Sequence, residues 1–528
     1  MSAPLWITAT PPASHGELHI GHLAGPYVAA DVLSRHLRAD GQPVLFSTGM
    51  ADHADSVRVR ALRGGRKPEE VAEGYGAAIA ADWLRAKVAF DQIVRPRQDR
   101  GYRRWLQNLF LELYGQGIIV ARTRLQPYCP SCELWLTGAM VIGACPTCGA
   151  RSEGSLCHEC ARPTDAELMD PVCALCGSPG RPRRCRRPYL PLEPLREPLA
   201  EYWASTVSSP RLAVLCEGLL EDGLPEVGVG HPGDWGVPVP VDDFRDQRID
   251  ACFEAAVMHL FGYGYVSGNE QRSLPERALH FCGFGHSFCH AVLLPAILIA
   301  RGVKLPQEMH VNETYRIDTE RAWDSGGGPG LWALDVLTEF GSDTVRRHVL
   351  EARPLGRRTD FRRDRLDRTR QVLEETWNSW LGRLFAAVRE ECAGLVPDTE
   401  PGGAGWEALR RRLLRAAEDL REAYGPEAFD PRRAVALLDE VVSCAADFGY
   451  VNVSERRRTR GEHLPPIVAQ LSVAAALTSW AWPLMPEGAG RLAAALRMRA
   501  GGPVGPGALN PPCPGTRLDP PSGPVFGF

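Results

Sequence analysis

The spacing of apolar residues divides the chain into a mixed α/β half and a helical half. The segment 4–10 is a short apolar run, and the Pro- and Gly-containing segment 11–18 follows it. Apolar positions at helical spacing then extend from His22 to Asp40, and residues 44–48 form a second apolar run. A strand, a turn, an amphipathic helix and another strand make the first unit of a parallel sheet. The N-terminal half is therefore predicted to have an α/β fold.

Beyond this first unit the pattern changes several times. Residues 120–190 carry many cysteines and turn residues without a regular apolar period, which predicts an insertion with little core of its own. Mixed α/β character returns from about 237 to 340. The Gly- and Pro-rich tail from Gly501 is expected to be disordered. Between them, four segments with helical spacing predict a helical bundle: 366–392, 406–424, 431–448 and 465–482.

Composition narrows the class of protein without identifying it. Hydrophobic residues make up 44% and charged residues 23% of the 528 positions, as in soluble globular proteins. No apolar run reaches about 18 residues and no secretory signal is present, so we expect a cytoplasmic location and no membrane partner. The net charge of −4 does not by itself indicate a nucleic-acid partner. The only lysines are Lys67, Lys87 and Lys304, which excludes a Gly-Lys-Ser/Thr phosphate loop.

The cysteines indicate bound metal. In a chain without a secretory signal, they favour metal ligands or free thiols over disulfides. Eight of the 16 form four Cys-x-x-Cys pairs, and two such pairs supply the four thiolates of one tetrahedral zinc. The sequence leaves the pairing open, and we favour joining the two inner pairs and, separately, the two outer pairs. The predicted ligands of two structural Zn²⁺ ions are Cys129, Cys132, Cys145, Cys148, Cys157, Cys160, Cys173 and Cys176.

A candidate phosphate site lies in the first strand–helix turn. The motif His19-Ile20-Gly21-His22 follows Pro11-Pro12 at the expected start of the first helix. Free backbone N–H groups and the helix dipole favour phosphate there, and imidazoles can donate to phosphate oxygens as charge develops. Gly21 would let a flat base approach the backbone. The alternative is a pair of solvent-facing histidines at a helix start.

These motifs occur in an order that resembles the methionyl-tRNA synthetase family. The matching segments are PPASHGELHIGHL, the knuckles that begin YCPSC and end CALCG, DWGVPVP and EFGSDTVRRHVL. The two knuckles are similar to the archaeal and eukaryotic branch of this class I aminoacyl-tRNA synthetase family. The resemblance covers about residues 4–490. It implies an α/β class I synthetase fold and ATP with Mg²⁺ as cofactors.

The resemblance also implies an order of domains and a set of site residues. The expected domains are a Rossmann catalytic domain, first half (1–118), a connective insertion with zinc knuckles (119–230), the second Rossmann half (231–340), a linking fold (341–365), an anticodon-type helical bundle (366–490) and a Gly/Pro-rich tail (491–528). Contacts to ATP are expected from Pro12, His19, Gly21, His22, Gly283 and Gly285. Contacts to the amino acid are expected from Thr10, Ala13, Ala51, Asp52, His53, His231, Cys252, His259 and His290.

The signature loop departs from the family pattern. The family closes its site with a loop whose lysines hold ATP phosphates, and the matching residues 315–328 contain no lysine. Arg316 and Arg321 are expected to contact phosphate instead and to act with His19 and His22 in catalysis, although a guanidinium is a planar fork and not a point charge.

The residues expected to line the amino-acid pocket also depart from the family pattern. The family's ammonium-binding aspartate aligns with Ala51, one place before Asp52, and its ribose-contacting aspartate aligns with Gly285. A family arginine aligns with His231, and three pocket aromatics align with Ala13, Cys252 and His259, whereas His290 is retained. We therefore expect a larger and more polar pocket, with methionine not the preferred substrate. His231, His259, His286 and His290 could converge on a metal, and scattered pocket histidines are the alternative.

The bundle leaves tRNA binding open. Ser379 and Arg383 stand where the family has an Asn/Arg pair, and Arg456-Arg457 replace a Pro-Trp that reads the anticodon. Loss of base stacking weakens such reading. The ten arginines of residues 346–370 are either a phosphate-tracking stripe or a set of helix-surface ion pairs.

Three functions remain. The first is a repurposed synthetase that activates an amino acid or related carboxylate with ATP and transfers it to a small-molecule acceptor. Similar synthetase-like domains occur in natural-product enzymes, including hydrazine-forming ones joined to a cupin barrel; here a cupin-type partner would act in trans and tRNA would be doubtful. The second is a genuine methionine–tRNA ligase with atypical motifs. The third is a non-catalytic descendant that binds a ligand or partner.

Overall fold

Five short strands form a parallel sheet that organises the N-terminal half. The structure, a computed structural model, describes residues 4–206, 209–264, 274–275, 277–303, 307–317, 331–454 and 463–527. The sheet lies in the order Gln307–Asn312, Ala278–Gly283, Leu5–Ala9, Val44–Gly49 and Gln92–Val94, and every neighbouring pair is parallel. The predicted strands at 4–10 and 44–48 are thus its centre and one neighbour.

Both faces of this sheet are buried. Ile7 packs into one apolar core with Phe46 and Leu279, whereas Trp6 packs into a second core with Ala278. Because both sides of each strand must be apolar, the central strand appears in the sequence as a continuous apolar run. Helices cover the two faces: Val28–Ala39, Asp55–Arg63, Pro68–Arg85, Tyr102–Gly115, Ala251–Tyr263 and Leu294–Ala300.

The cysteine-rich insertion is built from antiparallel strands. Its main sheet contains Val120–Cys129, Leu134–Trp135, Arg181–Pro191 and Glu226–Gly228, and a smaller sheet contains Val141–Ala144, Arg151–Glu153 and Met169–Cys173. Helices Arg196–Thr206 and Pro210–Asp222 lead back to the parallel sheet.

The eight paired cysteines form two four-thiol groups. The outer group is Cys129, Cys132, Cys173 and Cys176, and the inner group is Cys145, Cys148, Cys157 and Cys160. Within each group the sulfur atoms lie within 4.8 Å of one another, which is compatible with one tetrahedral Zn²⁺ per group. The favoured pairing of inner with inner and outer with outer pairs is confirmed.

Helices after residue 331 form a bundle that includes the four predicted helical segments 366–392, 406–424, 431–448 and 465–482. They are Ala333–Glu351, Arg363–Val372, Ser379–Glu391, Trp406–Tyr424, Pro431–Ser454, Leu464–Trp480 and Pro486–Ala495. Most of the predicted helical segments are recovered closely, since each has a clear apolar face. Among the described residues, no helix has both the length and the apolar character to cross a lipid bilayer.

A buried arginine joins the bundle to the catalytic half. The Arg346 side chain is fully buried and donates to Asp31 Oδ2 at 2.7 Å, to the Leu484 carbonyl at 2.7 Å and to the Ala86 carbonyl at 3.0 Å. Asp31 also accepts from Arg35 at 2.7 Å. The charge is therefore paired and its donors are occupied, as a buried guanidinium requires.

Most of the remaining arginines of residues 346–370 form ion pairs. Arg362 and Arg368 both contact Asp364, Arg363 contacts Glu339, and Arg370 contacts Asp367. Of the two alternatives for this segment, the structure favours helix-surface pairing over a phosphate-tracking stripe.

The expectation of a disordered tail is wrong for residues 501–527. Phe526 is buried against Trp377, and the Asn378 side chain accepts from the backbone N–H groups of Val525 and Phe526 at 2.9 Å. Gly and Pro composition predicted disorder, but a few large apolar residues at the end of the tail have a site on the bundle that the local sequence does not reveal.

We expect Asp31→Asn to destabilise the protein by about 3–5 kcal/mol, because it leaves the buried Arg346 charge unpaired. Urea unfolding followed by circular dichroism measures this. Arg368→Ala is the matched control: its side chain is 66% exposed, so removing its pair with Asp364 should cost about 0–1 kcal/mol. Equal losses in the two variants would contradict the bridging role of Arg346.

Each four-thiol group is expected to hold one zinc ion that stabilises the insertion. Cys148→Ser, in the inner group, should lower the zinc content of the purified protein by about one equivalent. Cys176→Ser, in the outer group, should do the same independently. Cys513→Ser, at an exposed free cysteine of the tail, should leave the content unchanged. Zinc content that is insensitive to the first two changes would refute both sites.

Candidate active site

The carboxyl ends of the parallel strands converge on one crevice. The chain leaves the central strand Leu5–Ala9 toward Val44–Gly49 on one side, while Ala278–Gly283 lies on the other. This reversal is a topological switch point, where open α/β sheets bind their ligands. Most of the predicted site residues follow the ends of these strands, so topology brings together side chains that are far apart in sequence.

His19 and His22 are fixed in one orientation at the start of the first helix. His19 is the N-cap of Ile20–His22, and its Nδ1 accepts from the Gly21 N–H at 3.1 Å. The Nδ1 of His22 accepts from the His19 N–H at 3.1 Å. Burial lowers the pKa of His19 to about 4, and burial together with neighbouring histidines lowers that of His22. Both rings are therefore neutral near pH 7, with the proton on Nε2, where it can be donated to a ligand.

Gly21 and the signature loop meet beside these histidines. A Cβ at Gly21 would lie 2.9 Å from the His19 ring and 3.3 Å from the Tyr315 carbonyl, so close packing explains the glycine. Arg316, expected to contact phosphate, instead pairs with Asp360 on the surface, its Nε 2.6 Å from the carboxylate. Arg321 lies outside the described residues. The catalytic roles of both arginines stay predictions.

Tyr315 anchors the start of this loop to the bundle. Its hydroxyl is 3.1 Å from His348 Nε2, and His348 Nδ1 is 3.3 Å from the Thr369 hydroxyl. His348 is buried, and burial followed by the charges of Arg347 and Arg365 lowers its pKa to about 4.

Asp52 is a buried carboxylate with one oxygen free of hydrogen bonds. Ser14 donates to its Oδ1 at 2.7 Å, whereas Oδ2 has no hydrogen-bond partner within the described part of the chain. The nearest cation is Arg95, whose Nε lies 3.8 Å away. Burial raises the pKa of Asp52, and Ser14 and Arg95 oppose the rise. An unsatisfied buried carboxylate oxygen is suited to an incoming cation.

Residues around Asp52 are held by the backbone and by a second carboxylate. Ala13 and Ala51 form an isolated parallel bridge, and the Ala51 N–H donates to the Pro12 carbonyl at 2.9 Å. His53 Nδ1 lies 2.9 Å from Glu254 Oε1. Burial opposes charge on His53, but the Glu254 carboxylate outweighs it and raises the pKa of His53.

The inner zinc knuckle reaches the edge of the crevice. A Cβ at Gly285 would lie 2.9 Å from the His158 carbonyl and 3.0 Å from its Nδ1. Arg358 pairs with the neighbouring Glu159. His158 was not predicted as a site neighbour, and its position next to Cys157 gives no signal of it. The nucleotide contacts assigned to Gly283 and Gly285 stay predictions.

Two predicted pocket residues have side-chain partners that the sequence does not indicate. His231 lies away from His259 and His290; its Nε2 is 3.8 Å from Asp55 Oδ2 and its Nδ1 is 3.4 Å from the Thr137 hydroxyl. Cys252 forms a disulfide with Cys289, contrary to the expectation of thiols or metal ligands only. The partner of His231 comes from the insertion, and that of Cys252 comes from the helical turn Phe288–Leu293. The substrate contacts of both residues stay predictions.

Three histidines do converge. His259 and His290, both predicted, are joined by His280, and their ligand atoms lie within 4.8 Å of one another. His280 Nε2 is 3.4 Å from the Thr10 hydroxyl, which places the group at the end of the central strand. Sequence reasoning missed His280 because a single polar residue in a buried strand has no distinctive pattern.

A basic cleft opens beside His53. It has a volume of about 730 Å³ and is lined in part by Arg97, Arg103 and Arg104. Arg97 stacks over Trp235, 5.1 Å from the ring centre. An arginine-rich cleft beside a catalytic crevice is suited to phosphate groups of a nucleic acid.

Comparison with known proteins identifies close likenesses. The family profile described as tRNA synthetases class I (M) matches residues 5–384. The methionine–tRNA ligase of Pyrococcus furiosus is 28% identical over 456 residues, which cover 79% of this chain and 61% of the relative. That of Methanobrevibacter smithii is 27% identical over 407 residues, covering 75% and 60%. The chain spans about three fifths of the length of these relatives.

A solved structure shares the whole fold. Mycobacterium tuberculosis methionyl-tRNA synthetase in complex with methionyl-adenylate superposes with a TM-score of 0.81, covering 100% of both chains at 19% identity. This confirms the expected class I synthetase fold, with its parallel-sheet core, knuckles and helical part.

These relatives overturn one expectation. The expectation that tRNA is a doubtful partner is contradicted, because the curated relatives named above are methionine–tRNA ligases. The cupin-type partner has no support in them.

The free energy of unfolding is expected to decrease as the pH is lowered from 6.5 to about 4, partly because of His348. Its folded pKa lies below its unfolded value, so its contribution is complete above pH 6.5 and is lost as the unfolded state takes up a proton; up to about 3 kcal/mol is involved. His348→Gln should flatten this part of the pH profile in urea titrations. Identical slopes in the wild-type and variant proteins would contradict the assignment.

Proposed function

Since the chain belongs to the class I tRNA synthetase family of type M, we propose that it activates an amino acid with ATP and transfers it to tRNA. The observation that carries the proposal is the pair His19 and His22, each fixed as an Nε2–H donor at the switch point of the sheet. Methionine is the first candidate substrate, because the curated relatives are methionine–tRNA ligases. The tRNA acceptor proposed here replaces the small-molecule acceptor expected from the sequence.

In the first step, the amino-acid carboxylate attacks the α-phosphorus of ATP and pyrophosphate leaves. His19 and His22 donate from Nε2 to phosphate oxygens whose negative charge grows in the transition state. Because both histidines are neutral and carry their proton on Nε2, they can donate these hydrogen bonds without a change in protonation state. ATP with Mg²⁺ supplies the phosphoryl chemistry when bound.

Asp52 is the proposed partner of the substrate ammonium. Its Oδ2 is buried and free of hydrogen bonds, and the Ser14 hydroxyl fixes the orientation of the carboxylate. An ammonium would donate a hydrogen bond to this oxygen, which Arg95 at 3.8 Å does not, and would remove the cost of a buried oxygen without one. This role takes the place of the family aspartate that aligns with Ala51.

In the second step, a ribose hydroxyl of tRNA attacks the acyl carbon, an ester forms and AMP leaves. The cleft lined by Arg97, Arg103 and Arg104 is the proposed binding place for phosphates near the tRNA end. Its position beside His53, the neighbour of Asp52, supports this use.

The two steps are tested separately on the purified full chain. Pyrophosphate exchange with a panel of amino acids measures activation, and charging of total tRNA measures transfer. His19→Ala should lower exchange about 10²-fold or more. His36→Gln, at a buried histidine on Val28–Ala39 outside the crevice, is the matched control and should retain activity.

The transfer step has its own variant. Arg103→Ala with Arg104→Ala should reduce charging and leave exchange intact, whereas Arg497→Ala with Arg499→Ala, at exposed positions near the tail, should change neither. Exchange with no amino acid would overturn the proposed activation. Exchange without any charging of tRNA would overturn the proposed acceptor.

A further inference from the structure

Three elements each bring one histidine to the same buried point. His259 lies on the helix Ala251–Tyr263, His280 on the strand Ala278–Gly283, and His290 on the helical turn Phe288–Leu293. All three are almost fully buried, with exposures of 2%, 0% and 1%. Their ring centres are 4.1 to 5.7 Å apart. Three independent parts of the catalytic domain therefore form one compact imidazole cluster.

Three of the six ring nitrogens in this cluster have no hydrogen-bond partner within the described part of the chain. Neither ring nitrogen of His259 has a hydrogen-bond partner within the described chain, and neither does Nδ1 of His290. Buried polar atoms in folded proteins are almost always bonded, so each such atom calls for an explanation. A metal ion that accepts a lone pair from each imidazole would satisfy one nitrogen of each ring.

His280 has the second contact that metal-binding histidines show. Its Nδ1 lies 2.6 Å from the Thr8 hydroxyl, which stands directly opposite in the neighbouring strand. Such a contact fixes the ring and its tautomer, leaving the other nitrogen for a metal. That other nitrogen, Nε2, makes only a long contact of 3.4 Å to the Thr10 hydroxyl at the end of the central strand, which a bound metal would replace.

We propose that His259, His280 and His290 bind a divalent transition metal, Zn²⁺ above all, separate from the two four-thiol sites. Their ligand atoms lie within 4.8 Å of one another, and the nitrogens of a tetrahedral zinc lie roughly 3.3 Å apart, so modest ring rotations complete the site. Three protein ligands leave one position open, unlike the four thiolates of the knuckles.

The open position is available to the side chain of the bound amino acid. This part of the inference rests on the proposed function, because it takes the crevice to be the amino-acid site. The ligand class is an amino acid whose side chain carries a lone-pair donor such as sulfur, oxygen or nitrogen. The metal would distinguish such a side chain from a hydrocarbon of the same length.

A disulfide holds two of the ligands in place. Cys252 and Cys289 join the helix that carries His259 to the turn that carries His290. Because both sulfur atoms are used in this bond, they do not compete for the metal. A double serine variant at these positions tests whether the metal depends on histidine or on thiol ligands.

Zinc analysis of the full chain, expressed with added zinc, tests the site without reference to activity. The wild-type protein should contain about three equivalents, two in the four-thiol groups and one at the histidines. His259→Phe and, independently, His290→Gln should contain about two. His36→Gln and the double variant Cys252→Ser with Cys289→Ser should retain about three.

The outcomes separate the possibilities. About two equivalents in the wild-type protein, or about three in both histidine variants, would overturn the metal site. Loss of the third equivalent in the double serine variant, with the fold intact by circular dichroism, would overturn ligation by histidine alone. If one histidine variant does not fold, the zinc content of the other provides the measurement. The zinc content of the wild-type protein is a further test that needs no variant.

The ligand class is tested by pyrophosphate exchange with methionine, homocysteine, homoserine and 2,4-diaminobutyrate against norleucine. Wild type should prefer at least one heteroatom-bearing side chain over norleucine by about tenfold or more, and His259→Phe should lose that preference. Equal use of norleucine in wild type would overturn the side-chain role. If no amino acid supports pyrophosphate exchange, the proposed function is wrong, and the metal site is then tested by the zinc analysis alone.

Discussion

The arrangement of the whole molecule depends on one buried charge pair. Arg346, on the first long helix of the bundle, contacts Asp31 on the first long helix of the catalytic half and the backbone carbonyls of both halves. A buried guanidinium is tolerated only where its N–H groups have hydrogen-bond acceptors. Because the acceptors of Arg346 belong to both halves, they favour one relative position of the two halves. The anchor of the signature loop depends on this position, because Tyr315 contacts His348 on the same helix as Arg346.

The sequence was sufficient for features that depend on local pattern. Trp406–Tyr424 was located to the residue because its apolar face repeats regularly and its ends carry glycines. The strand Leu5–Ala9 and the helix start at His19 followed from the order of an apolar run, a turn and a helical repeat. The family resemblance came from motif order, and it supplied the class I fold that periodicity alone left open.

Features that depend on distant contacts were missed or misjudged. His280 lies in a buried strand and gained meaning only from His259 and His290, which belong to other elements. Cys252 was treated as a pocket residue because nothing local reveals Cys289 as its partner. Composition suggested a free tail, yet a site for Phe526 exists on helices formed far earlier in the chain. The doubt about tRNA rests on a few altered positions, which weigh less than a sequence likeness to methionine–tRNA ligases over 75–79% of the chain.

The contact between the inner knuckle and Gly285 has an evolutionary consequence. No side chain fits at Gly285 while the His158 backbone and ring stand within about 3 Å of its Cβ position. A lineage that regained an acidic or basic residue there would first have to move the knuckle, and a lineage that lost the knuckle would free this position to vary. We therefore expect the two places, distant in sequence, to vary together among relatives, because the glycine is required by the position of the insertion.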